Sequence, residues 1–174
     1  MKIKNILLAL LSVACVGLAG LGLASCGQFN SGGLNGGSDN PDEGGIKTED
    51  FLFQVKDNHA MVIGYEGKEP KVEIPKTYDG FPVTRIEGAF YNCNTVKEVV
   101  IPDSVASMGR DAFYGCRSLK KIVIPERVTS IGDSAFKACN LLTIYCETAS
   151  KPDGWNNSWN YDNCPVIWGY KETV

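Results

Sequence analysis

A block of residue types recurs in this chain with an offset of 23 residues. The offset is clearest at one aromatic and one thiol position, which are Phe90, Phe113 and Phe136, and Cys93, Cys116 and Cys139. Chance does not place several residue types on one register, so the chain builds one small unit repeatedly. A single unit of this size cannot bury its apolar face alone, but a stack of such units can. The offset therefore predicts a solenoid.

Each unit opens with an alternating segment. Residues 119–124 read Leu-Lys-Lys-Ile-Val-Ile, which fits the L-x-x-L-x-L strand of a leucine-rich repeat, and 96–101 and 141–146 follow the same spacing. Because side chains alternate along a strand, we expect Ile122 and Ile124 to point into the core. Lys121 and Val123 should point outward.

The second half of each unit turns the chain back to the core. Pro125 ends the strand because proline lacks the N–H that a sheet ladder needs. We expect Val128 and Ile131 to re-enter the core, and residues 133–136 to form a short helical turn that buries Phe136.

The complete unit at residues 124–139, Ile-Pro-x-x-Val-x-Ser-Ile-Gly-x-x-Ala-Phe-x-x-Cys, resembles the repeat of BspA-type leucine-rich-repeat surface proteins. The resemblance covers about Phe51 to Tyr170 and implies a β-rich leucine-rich-repeat solenoid with short helical turns. Solenoid ends need caps, because they otherwise expose core and strand edges. We predict an N-terminal β-hairpin cap at about 51–66 and a C-terminal cap at about 147–174. The resemblance also implies exposure on bacterial cells, binding of host or microbial surface proteins, and no catalysis.

Residues 1–25 have the pattern of an export signal. Lys2 and Lys4 precede an uncharged apolar run, and small residues stand just before Cys26. The segment Leu-Ala-Ser-Cys at 23–26 resembles the lipobox of bacterial lipoproteins, which implies cleavage before Cys26 and acylation of its thiol. An uncleaved transmembrane anchor is the alternative, since the apolar run approaches the ~20 residues that span a bilayer. In either case the folded part is exported and tethered to a membrane, inner or outer.

Residues 26–45 are rich in Gly, Ser and Asn and carry hardly an apolar side chain. Such a composition predicts a flexible linker with a reach of about 25 Å. The remaining residues, 46–174, are predicted to form the leucine-rich-repeat domain.

The repeated cysteines are expected to stack inside the solenoid as small apolar side chains. A metal or redox site is the alternative, but the chain has one histidine, His59, which falls near a predicted hairpin turn. The spacing of 23 residues is also unlike C-x-x-C. A disulfide between Cys146 and Cys164 is left open, because export permits a bridge without requiring one.

Other chemistry finds little support in the sequence. No G-x-S-x-G, H-E-x-x-H or phosphate-loop motif occurs, so we expect neither an enzyme nor a bound cofactor or metal. With 17 basic and 20 acidic residues, the chain also lacks the basic patch of a nucleic-acid partner.

Binding remains, and two surfaces are candidates for it. The outward positions of the predicted strands form two columns, which are Lys71, Glu98, Lys121 and Thr143, and Glu73, Val100, Val123 and Tyr145. The partly apolar second column would suit a protein partner, although an ordinary solvated face has the same pattern. Glu98 and Lys121 would border it. The sequence thus favours an adhesion or protein-interaction module at the cell surface.

The alternative function is glycan binding by the C-terminal aromatic residues. Trp155 and Trp159 lie among asparagines, and flat rings beside amides could stack on sugars. A hydrophobic cap built from the same rings is the competing interpretation.

Substitution of Cys26 tests the proposed anchor. We expect a Cys26→Ala variant to lose acylation and to leave the membrane fraction, because the acyl chains on Cys26 supply the anchoring energy. Metabolic labelling with a radioactive fatty acid and membrane fractionation would measure both effects. A variant that is still processed, acylated and retained in the membrane would contradict the assignment.

Overall fold

The computed structural model describes residues 48–171. A short 3-10 helix at Thr48–Asp50 precedes eleven strands. These are β1 (Phe51–Lys56), β2 (His59–Tyr65), β3 (Lys71–Glu73), β4 (Thr77–Tyr78), β5 (Phe81–Ile86), β6 (Glu98–Val100), β7 (Ser107–Met108), β8 (Lys121–Ile124), β9 (Ser130–Ile131), β10 (Thr143–Cys146) and β11 (Val166–Trp168). The predicted export signal, the anchor Cys26 and the linker lie outside the described residues. Within residues 48–171, no helix is long and apolar enough to cross a membrane.

The strands form two sheets on opposite sides of one core. The first has the order β1-β2-β5-β7-β9, with β4 paired to β5, and the second has the order β3-β6-β8-β10-β11. The second sheet is parallel throughout. The middle coils each contribute one strand to each sheet, so the chain winds as a β-solenoid. The predicted solenoid fold is therefore confirmed.

The N-terminal hairpin predicted at 51–66 is present. β1 and β2 pair in antiparallel fashion, and the turn between them holds Asp57 and Asn58 at φ of 51° and 62°. Positive φ at both central residues matches the twist of a two-residue hairpin. Phe51, Val62 and Tyr65 are buried on the core side. Since β2 also pairs with β5, the hairpin occupies the edge of the first sheet.

A column of aromatic rings runs through the core. The ring centroids of Phe90 and Phe113 are 4.9 Å apart, and those of Phe113 and Phe136 are 5.5 Å apart, with nearly parallel planes. Tyr65 adjoins the N-terminal end of this column at 5.3 Å, and Trp159 adjoins the other end edge-on at 5.8 Å. The 23-residue offset thus places equal side chains in direct contact.

The repeated cysteines form a second internal column. Cys116 Sγ donates a hydrogen bond to the carbonyl oxygen of Phe90 (2.9 Å), and Cys139 Sγ donates one to that of Phe113 (3.0 Å). Cys93 is buried at the same position of its coil. The thiols of Cys116 and Cys139 therefore each satisfy a backbone carbonyl of the preceding coil while they pack as small apolar groups.

The turns between the two sheets repeat their backbone conformation as well. Two positions in each coil take left-handed φ angles of 55° to 73°, and these are Gly88, Asp111 and Ser134, and Asn92, Gly115 and Ala138. A left-handed residue interrupts a right-handed helix. Residues 133–136 accordingly form turns, and not the short helical turn expected from the sequence. Their backbone groups bond between coils, as in Phe113 N–H to the oxygen of Ala135 at 2.8 Å.

Removal of one ring tests the aromatic column. We expect Phe113→Ala to lower the free energy of unfolding by about 3–5 kcal/mol, because it leaves a cavity between two stacked rings. Its neighbour Tyr114 points outward and stacks only on Tyr91, so Tyr114→Ala should cost about 1 kcal/mol or less. Urea unfolding followed by circular dichroism measures both. Equal losses of unfolding free energy in the two variants would contradict the aromatic column as a source of stability. If Phe113→Ala does not fold, Phe113→Leu would be measured in its place.

Candidate interaction surface

The outward side of the second sheet carries both predicted columns. Strand register aligns Lys71 with Glu98, Glu98 with Lys121, and Lys121 with Thr143. In this first column, Lys71 Nζ lies 3.7 Å from Glu98 Oε1. Such an exposed ion pair contributes at most about 1 kcal/mol to stability.

The second column is largely apolar. It runs from Glu73 through Val100, Val123 and Tyr145, and strand register adds Ile167 at its C-terminal end. Val100 is 37% exposed and Ile167 is 44% exposed. Sequence reasoning omitted Ile167, although alternation within the last strand would have placed it outward.

An aromatic and cationic cluster borders the second column at the C-terminal coils. Tyr145 and Tyr170 contact each other edge-on, with centroids 4.9 Å apart. Lys121 Nζ lies over both rings, at 5.7 Å from the centroid of Tyr145 and 5.8 Å from that of Tyr170. A cation over an aromatic face is attracted by the ring quadrupole, which holds the three side chains together. We name Val100, Val123, Tyr145 and Ile167, with bordering Glu98 and Lys121, the outer face.

A groove of about 230 Å³ lies where the strands of the second sheet end. Its walls are side chains of successive coils, namely Lys76, Glu98, Val99, Val100, Ile101, Pro102, Asp103, Val123, Pro125 and Glu147. Because Val100 and Val123 also belong to the outer face, the groove is continuous with it.

The C-terminal tryptophans lie inside the fold. Trp155 is 2% exposed and Trp159 is 5% exposed, and Trp155 Nε1 donates a hydrogen bond to the carbonyl oxygen of Val128 at 2.9 Å. The two rings contact each other at 4.7 Å and both contact Trp168. Asn156 N–H bonds to the oxygen of Ile131, which holds the segment against the last coil. The rings therefore pack together as a buried aromatic cluster, and neither offers a free face to a sugar in this structure.

The two remaining cysteines are both free, buried thiols. Cys164 Sγ donates a hydrogen bond to the carbonyl oxygen of Cys139 at 3.5 Å, so it extends the internal cysteine column. Burial raises the pKa of Cys146 to about 12, and that of Cys164 to about 11. Within residues 48–171, no group of three or more His, Cys, Asp or Glu side chains is arranged to hold a metal ion.

A family model for the BspA type leucine rich repeat region matches residues 84–155 in six copies. This region belongs to the BspA-type leucine-rich repeats. The matched residues include the strands β6 to β10, so the resemblance seen in the sequence is confirmed. No curated protein matches the sequence.

Two crystal structures share the fold. One is a leucine rich cell surface protein from Faecalibacterium prausnitzii A2-165, with a TM-score of 0.56, 28% identity, and coverage of 75% of this chain and 43% of that one. The other is a leucine-rich repeat protein from Bacteroides capillosus ATCC 29799, with a TM-score of 0.58, 28% identity, and coverage of 72% and 99% respectively. This chain thus spans less than half of the first relative and nearly all of the second.

The buried thiols predict a loss of stability at alkaline pH. An ordinary thiol has a pKa of 9.0, and burial raises that of Cys146 to about 12, so the unfolded chain ionises first. The contribution of Cys146 to stability is therefore complete below pH 9 and declines as pH rises from about 9 to about 12. Urea midpoints at pH 8 and pH 10.5, under reducing conditions, would measure it. Cys146→Val should flatten the decline; an unchanged slope would contradict burial of a neutral thiol.

Proposed function

We propose that this protein is an exported, lipid-anchored surface module that binds another protein through the outer face and carries out no catalysis. The single observation that carries the binding role is the apolar column on a rigid parallel sheet. Val100 and Ile167 are exposed there although the core beneath them is fully packed. Exposed apolar side chains bordered by charges are typical of a partner surface.

Rigidity supports the same assignment. Ile122 and Ile144 are completely buried beneath the outer face, and parallel pairing fixes the spacing of the side chains above them. A binding surface whose side chains are held in place loses less conformational entropy when a partner docks. The outer face is therefore organised before binding.

Placement at the cell surface is supported by the N-terminal segment and by a relative that shares the fold. The segment ending at Cys26 resembles a lipobox, and one relative that shares the fold is a leucine rich cell surface protein.

Five strands about 4.8 Å apart make the outward side of the second sheet only about 20 Å long. This is small for a standard interface of about 800 Å² per partner. Anchoring many copies in one membrane would compensate for weak single contacts through avidity.

A non-catalytic role is supported by the residues that could do acid–base chemistry. His59, the one histidine in the chain, is exposed beside the hairpin turn. Glycan binding, the alternative raised by the sequence, relied on Trp155 and Trp159. Both rings are buried, so we assign binding of the partner to the outer face of the second sheet.

Charge insertion on the outer face tests this proposal. Cells that display the full chain would first be screened for adhesion to immobilised matrix proteins, glycans and other microbial cells. We expect Val100→Lys and Tyr145→Lys each to weaken adhesion about five-fold or more, because an apolar contact is lost and a charge is desolvated. Ile63→Lys is the matched control, since Ile63 is a similarly exposed strand residue of the first sheet.

Adhesion that survives both outer-face substitutions would contradict the assignment of the binding surface. Adhesion that is lost equally with Ile63→Lys would show a general defect and would contradict it too. Selective binding to glycans, with no protein partner, would overturn the proposed partner class.

A further inference from the structure

The groove at the end of the second sheet has an apolar floor. β6 is followed by Ile101 and Pro102, and β8 is followed directly by Pro125. Proline cannot continue the ladder of hydrogen bonds between strands. Pro102 and Pro125 therefore turn the chain away and leave the groove beside Val100 and Val123. Since Val100 is 37% exposed, a partner can reach this floor.

The rim of the groove is acidic. Lys76, Asp103 and Glu126 each follow the strand-ending proline of their coil, and Glu147 directly follows β10. Lys76, Asp103 and Glu147 line the groove, and Glu126 lies next to that lining. Asp103 and Glu126 are exposed, and Glu126 N–H donates a hydrogen bond to Glu147 Oε2 at 3.0 Å, which fixes that carboxylate at the rim. Among the described residues, no lysine or arginine forms an ion pair with these three carboxylates. The rim therefore carries negative charge that a cationic partner would neutralise.

The size of the groove limits what can occupy it. Its volume of about 230 Å³ is below the range of about 300–1,000 Å³ that is usual for sites of whole small molecules. Room for one or two side chains fits a short stretch of a longer polypeptide. Side chains of an extended segment alternate between two sides, so an aliphatic residue can face the floor while its neighbours reach the rim.

We propose that the groove binds an extended peptide segment in which an aliphatic side chain is flanked by lysine or arginine. The aliphatic side chain contacts Val100 and Val123, and the flanking cations lie against Asp103 and Glu147, which line the groove, with Glu126 next to them. This inference rests on the proposed function, because the groove shares Val100 and Val123 with the outer face. It names the chemistry of the partner segment.

Three labelled peptides test the proposal. With the full chain in detergent micelles, fluorescence polarisation would compare acetyl-Lys-Leu-Lys-Val-Lys-amide, its Glu-Leu-Glu-Val-Glu counterpart and a Lys-Ser-Lys-Ser-Lys peptide. We expect the first to bind at least ten-fold more tightly than either of the others. Equal binding of the serine peptide would overturn the apolar floor, and equal binding of the glutamate peptide would overturn the acidic rim.

Paired substitutions localise the binding. Asp103→Asn combined with Glu147→Gln removes two carboxylates that line the groove and should weaken binding of the first peptide about five-fold or more, as the loss of two charge contacts predicts. The matched control is Glu69→Gln combined with Asp153→Asn, which removes two exposed carboxylates elsewhere. Equal effects of the two pairs would overturn the groove as the site. Val100→Lys should also abolish binding, because it places an ammonium group on the floor.

The two proposals can fail separately. If Val100→Lys and Tyr145→Lys reduce cell adhesion but the chain shows no preference among the three peptides, the partner segment is of another class and the inference about the groove is overturned. The outer face then stands as the binding surface. If the outer-face substitutions leave cell adhesion unchanged, the proposed function itself is contradicted.

Discussion

Two physical spacings coincide in this solenoid, and the rest of the structure depends on their agreement. Hydrogen-bonded strands lie about 4.7–4.9 Å apart, and stacked aromatic rings are stable at a similar separation. The centroids of Phe90, Phe113 and Phe136 are 4.9 and 5.5 Å apart. The same rise per coil therefore suits both the stacking of the rings and the hydrogen bonds between strands. The thiol-to-carbonyl hydrogen bonds of Cys116 and Cys139 use that rise as well.

This agreement explains how much could be predicted from the sequence. Side chains at the same position of successive units stack on one another, so position in the unit predicts burial for most of the core. Leu141 is an exception, because the strand spacing aligns it with buried Leu119 but it is 59% exposed and Leu142 is buried. Ile122 and Ile124 point inward as the alternation indicated, and Val128 and Ile131 return to the core. The outward columns follow from the same register, because strand pairing matches positions that are equal in successive units. The solenoid, its core and its outer face were therefore within reach of the sequence.

The sequence did not predict the backbone conformation of the turns or the packing of the C-terminal segment. Residues 133–136 suggested a short helix, but Ser134 takes a left-handed φ of 55° and the backbone bonds between coils. The C-terminal segment follows no repeat, so its burial depends on how it folds back over the last coil. Trp155 is held by a hydrogen bond to Val128, 27 residues away, which no local pattern encodes. Cys164 likewise joins the cysteine column through a contact with Cys139.

The same constraint bears on where binding chemistry can reside. Inward positions must carry similar side chains in each coil, because each stacks on its equal. Outward positions carry no such restriction, and the outward side of the second sheet accordingly changes from charged side chains at β3 to Val123, Tyr145 and Ile167 at the later strands. The apolar end of this surface lies at the coils farthest along the chain from the proposed anchor.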